Sequence, residues 1–142
     1  EFVRELDGVK YYNSSIDSTP TRTEAALSVF DCRPVFILCG RDKHVPFDSL
    51  ARALYDRAGG VVVSGEAMPV IRRALEAEAA RRGSNDLPIA YEDDFFAAID
   101  RARTLARPGS AVVLSPSCTS FDRFRNFEER GDAFREYVKK LV

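Results

Sequence analysis

The chain has 142 residues, of which 45% are hydrophobic and 30% charged, and a formal net charge of −1. That length suits one folding unit able to bury roughly two thirds of its unfolded surface, and the composition excludes a disordered chain. Interspersed acids and bases exclude the one-sided basic field of a nucleic-acid or anionic-membrane binder, and no apolar run approaches the ~20 residues of a bilayer span.

Phe2 to Leu6 and Val9 to Asn13 flank Asp7-Gly8, a dipeptide that tolerates positive φ at both positions, and this predicts an opening β-hairpin. Continuous apolar runs at Val35 to Cys39, Val61 to Val63, Ile89 to Tyr91 and Ala111 to Leu114 predict four strands covered on both faces, hence a parallel sheet. Between the runs, Thr21 to Phe30, Phe47 to Ala58, Ala67 to Arg82 and Asp93 to Arg107 carry apolar residues at helical spacing and end near Gly or Pro. The stretch Phe121 to Leu141 predicts a terminal helix broken near Asn126 and Gly131, with Asn126 and Glu129 as a capping box at the restart. The expected fold class is α/β: a Rossmann-like, mostly parallel sheet of about six strands flanked by helices, with the hairpin at one edge. Residues 1–142 form one domain, with no repeat or internal linker.

Ligands of such folds meet the loops that follow the strands, which singles out three polar segments. They are Asn13 to Thr21, Gly40 to His44, and Ser115 to Ser120. The first reads either as a helix start, with Ser18 or Thr19 as cap and Pro20 in the first turn, or as a cradle of N–H groups and hydroxyls for an anion. In the second, Gly40 permits a sharp turn after which Arg41 and Lys43 either bind an anion or pair with Asp42 and Asp48. In the third, Ser120 occupies a plausible cap position, and of the aromatics Phe121, Phe124, Phe127, Phe134 and Tyr137 most are expected in the core, with one near the amino end able to face a ligand.

Cys32, Cys39 and Cys118 follow no metal-ligand or redox spacing and read as buried thiols. His44 is the only histidine, which rules out a multi-histidine metal site, and it reads as a surface loop residue. Neither a phosphate-binding G-x-x-x-x-G-K-[ST] loop nor a dinucleotide G-x-G-x-x-G spacing occurs, so nucleotide chemistry by this chain alone is not expected. The charged start Glu1 to Glu5 lacks the layout of a secretion signal, and the cytoplasm is the expected location.

The run from Leu114 to Phe134 is similar to L-S-P-x-x-x-S-x-D-x-F-x-N-F-x-x-R-G-x-x-F, a pattern of the Mur ligases. Gly8 to Ser15 followed by Pro20-Thr21-Arg22-Thr23 resembles the family's strand and N-D-S loop, and Gly40-Arg41-Asp42-Lys43 its next loop. The chain most resembles the carboxy-terminal domain of the members that add D-glutamate to UDP-N-acetylmuramoyl-L-alanine in peptidoglycan synthesis. Another Mur or folylpolyglutamate-type ligase, or a non-catalytic α/β binding module, is the alternative.

The resemblance implies a three-domain ATP-dependent ligase that works through an acyl phosphate, with ATP and Mg2+ bound mainly outside this domain and no metal ligand or catalytic residue within it alone. It implies that Lys43, Ser120, Phe121 and Phe127 meet D-glutamate, and that Asn13, Ser14, Ser15, Asp17 and Ser18 lie near the nucleotide. Ser14 stands where many members have Asp, and Ile16 where some have Lys. The chain is expected to be a piece of that larger enzyme, inert by itself.

Overall fold

The computed structural model describes residues 1–142 as one six-stranded sheet and five helices. The strands are β1 (Phe2–Leu6), β2 (Val9–Asn13), β3 (Val35–Cys39), β4 (Gly60–Ser64), β5 (Ile89–Tyr91) and β6 (Ala111–Ser117). The helices are α1 (Pro20–Ser28), α2 (Asp48–Arg57), α3 (Met68–Arg82), α4 (Phe95–Leu105) and α5 (Phe127–Lys139). Asp7 and Gly8 turn the hairpin with φ of 54° and 78°, the paired positive values that the dipeptide predicts.

Spatial order across the sheet is β1-β2-β6-β3-β4-β5, antiparallel only between β1 and β2. Five strands are therefore parallel, one more than the apolar runs suggest, because β2 leaves the hairpin to pair with β6. The last strand inserts between β2 and β3, so the carboxyl ends of β2, β6 and β3 lie side by side. Those are the ends from which the three polar loops depart.

Alternation along each strand divides the core. Phe36, Leu38, Val61, Val63 and Val113 face α1, α2 and α3, where Leu27, Leu50, Leu54, Ile71 and Leu75 meet them. Tyr11, Val35, Ile37, Val62, Val112 and Leu114 face α4 and α5, which supply Phe95, Ile99, Phe134 and Val138. Each such buried side chain contributes roughly 1.5–3 kcal/mol. Arg4 closes the hairpin edge by donating from one terminal nitrogen to the carbonyls of Val138, Lys139 and Leu141, at and just beyond the end of α5.

Three local expectations need correction. The strand β6 runs past Leu114 to Ser117, accommodating Pro116 through an irregularity in which Ile37 and Cys39 oppose Leu114 and Ser117; a proline without an N–H is tolerated at such a bulge. The segment after β6 is turns rather than helix, so Ser120 caps no helix, and α5 begins at the Asn126 cap, whose Oδ1 accepts from the Glu129 amide at 2.8 Å. The helix also passes through Gly131 unbroken. That glycine serves close approach: a β-carbon on it would lie 2.8 Å from the Asn13 amide nitrogen and 3.3 Å from the Ser15 β-carbon.

Candidate functional site

The loop after β2 folds inward. Asn13 Oδ1 accepts from the Ser15 amide at 3.1 Å, while Ser14 donates its hydroxyl to Asp17 Oδ2 at 2.6 Å and its amide to the Leu114 carbonyl at 2.8 Å. Asp17 is buried and also accepts from Ser115 Oγ at 2.7 Å, and its carbonyl accepts from the Ser117 amide at 2.8 Å. Thr23 on α1 donates to the Ser115 carbonyl at 3.2 Å. The first and third polar loops are thus one hydrogen-bonded unit. Thr19 is the α1 cap, accepting from the Arg22 amide at 3.3 Å, with Pro20 in the first turn.

Of the residues expected near the nucleotide, the structure buries Ser15 and Asp17 and leaves Asn13, Ser14 and Ser18 half-buried, with Ile16 exposed at the tip. Asn13 donates from its amide to Glu1 and to the Gly131 carbonyl. Its hydrogen-bonding groups, and those of Ser15 and Asp17, hold the loop's shape.

The loop after β3 is stitched to the loop after β6. The Arg41 amide donates to the Thr119 carbonyl at 2.9 Å, and the two residues form an isolated antiparallel bridge. Arg41 faces Glu66 at 3.5 Å, and Asp42 accepts from the His44 amide at 2.8 Å and lies 3.7 Å from its ring. Lys43 pairs with neither Asp42 nor Asp48 and stands exposed. The pairing with Asp42 and Asp48 is therefore made by neither base: Arg41 faces Glu66 instead, and the Lys43 ammonium is free for a partner.

Asp122 and Arg123 tie the third loop to the far strands: Asp122 Oδ2 accepts from the Glu66 amide at 3.1 Å, and Arg123 donates to the Asp93 carbonyl. Ser120 is buried beneath, while Phe121 and Phe127 are 57% and 37% exposed and available as apolar walls. Phe124 meets Phe95 at a centroid separation of 5.1 Å, so the aromatic row divides between core and surface. Its spacing across residues 121–127 looks helical, but the turns set each ring's direction.

Burial pushes the Cys39 thiol up to about 12 and that of Cys118 to about 11, which keeps both protonated and unreactive; Cys32 is only partly buried. No group of three or more His, Cys, Asp or Glu side chains is placed to hold a metal ion, and no helix is long and apolar enough to cross a membrane.

The family model described as Mur ligase, glutamate ligase domain, matches residues 1–118. The chain belongs to this Mur ligase family. Among curated relatives it is 48% identical over 141 residues to the UDP-N-acetylmuramoylalanine–D-glutamate ligase of Clostridium novyi, a match covering 99% of this chain and 31% of that protein. Proteins of the same name from Clostridium perfringens and Clostridium acetobutylicum are 43% and 44% identical over 142 residues, again covering 99% of this chain. This Mur ligase domain therefore spans about a third of the length of the relatives it matches.

The sequence reading overlooked Arg130, which is only 1% exposed and reaches both the first and the third loop. Its signal was its place on the stripe of Phe127 and Phe134, three and four residues away, where an arginine can stay only if its nitrogens find acceptors.

Proposed function

We propose that this chain is the amino-acid-binding domain of an ATP-dependent ligase that joins D-glutamate to UDP-N-acetylmuramoyl-L-alanine in peptidoglycan synthesis. The observation that carries the reading is an unpaired lysine, Lys43, on a loop fastened by Arg41 and Thr119 to the loop that holds Ser120 and Phe121 and leads into Phe127 at the start of α5. D-Glutamate has two carboxylates and one amine that must be aimed at an activated carbonyl. Lys43 answers one carboxylate, Ser120 hydrogen-bonds it, and Phe121 and Phe127 exclude water, so the domain supplies orientation and charge neutralisation.

For the nucleotide, the outer rim of the first loop offers Ser14 and Ser18, while Asp17 is buried and held by two hydroxyls. Asp17 so held serves the loop rather than an ion, and binding of Mg2+ and activation of the UDP-sugar carboxylate by ATP are assigned to the remainder of the longer protein. A cytoplasmic location follows from these substrates.

The test is substrate choice by the full-length enzyme. With ATP and UDP-N-acetylmuramoyl-L-alanine, D-glutamate should give the amide product, and L-glutamate, D-alanine and L-lysine should not. Turnover independent of D-glutamate, or equal with D-alanine, would refute the assignment.

A further inference from the structure

Arg130 is a buried guanidinium with no carboxylate within ion-pair distance. Burial lowers its pKa. Its acceptors are all neutral oxygens. Nε donates to Ser15 Oγ at 2.9 Å, one terminal nitrogen donates to the Ser15 carbonyl at 2.7 Å, and the other to the Cys118 carbonyl at 3.0 Å. Ser15 Oγ in turn donates a hydrogen bond to the Phe127 carbonyl at 2.7 Å, closing the circuit on the first turn of α5.

A cation buried among neutral acceptors is costly, and fastening two loops to a helix could be done by apolar packing at lower cost. What apolar packing cannot do is fix the relative position of two backbone carbonyls. A planar fork with donors in set directions does so, and a lysine, with one nitrogen, cannot span both. Gly131 completes the arrangement by letting Asn13 and Ser15 approach the helix.

We infer that Arg130 is a positioning residue that locks the loop of Ser14 to Ser18 and the loop of Cys118 to Phe127 into one body. With the ligand roles of the loops as proposed above, nucleotide and D-glutamate are bound by the two sides of that body, and its geometry sets both affinities together. Lys43 and Ser120, in contrast, serve the amino acid alone.

The experiment compares Arg130→Lys, Arg130→Met and the milder Ser15→Ala in the full-length ligase, with KM for ATP, KM for D-glutamate and kcat measured alongside the thermal midpoint. In Arg130→Lys, KM for ATP and for D-glutamate should both rise about tenfold, with a smaller change in kcat. Ser15→Ala should shift both in the same direction by a lesser factor, and Arg130→Lys should not restore what Arg130→Met loses. Movement of only one KM, both KM values within about threefold of the parent, or full rescue by lysine overturns the inference. If the Arg130 variants do not fold, Ser15→Ala decides by the same criterion. A parent enzyme that does not use D-glutamate would instead defeat the functional reading.

Discussion

Gly40 faces Thr119 so closely that a β-carbon on it would lie 2.1 Å from the Thr119 carbonyl oxygen, the acceptor for the Arg41 amide. Its φ of 130° is also one that a side chain resists. Gly40→Ala is expected to lose roughly 1–3 kcal/mol from backbone conformation alone, before the displaced carbonyl is counted. Because Arg41 and Thr119 join the loop of Lys43 to the loop of Ser120, KM for D-glutamate should rise as well. Denaturant unfolding and steady-state kinetics check both; a stability unchanged within error would show that the two loops separate without cost.

Lys43→Met keeps most of the stem and removes the charge. An exposed lysine without a substrate role contributes under ~1 kcal/mol. A charge-assisted bond to a carboxylate is worth roughly 1.5–3 kcal/mol, about ten- to a hundredfold in kcat/KM for D-glutamate. The expected outcome is that loss with ATP saturation little changed. A value within threefold of the parent in a folded variant would leave the lysine without a substrate role.

Ser120→Ala should raise KM for D-glutamate roughly tenfold and leave KM for ATP nearly unchanged. Since Asn126 and not Ser120 caps α5, no loss of helix capping should accompany it. A drop in stability of about 1 kcal/mol with unaltered kinetics would mark the hydroxyl as structural.

Glu78 on α3 accepts from Arg81 and Arg82, and these bonds pull its carboxyl down to about 2. A carboxyl whose folded value lies below its unfolded one adds stability that is present above about pH 4.5 and is lost as pH falls towards 2. Arg82 also pairs with Asp56 at 2.8 Å, linking α3 to α2. Glu78→Gln should therefore lower stability at neutral pH and flatten its decline below pH 4.5, measured as thermal midpoint against pH. A decline as steep as the parent's would assign the acid sensitivity to other carboxyls.

The purified 142-residue chain should unfold in one cooperative transition and hydrolyse no ATP. Two complete apolar layers support the first expectation, and the missing phosphate-binding loop the second. Steady ATP hydrolysis by the chain alone would contradict it.

Local patterns determined which segments are strands and helices: apolar runs of three to five residues favour burial in a sheet, and turn residues such as Asp7-Gly8 or the Asn126 cap satisfy needs within a few bonds of themselves. They also showed which loops are unusual, since polar residues directly after buried strands have few other uses. What periodicity could not convey was the insertion of β6 between β2 and β3, because strand order depends on pairing partners far apart in the chain. That insertion gathers the three polar loops. It also sets Asp17 against Ser115 and Ser15 against Arg130. Whether a polar side chain holds the scaffold or faces a ligand is settled by which acceptors the rest of the chain brings within three ångströms, and only tertiary structure supplies them.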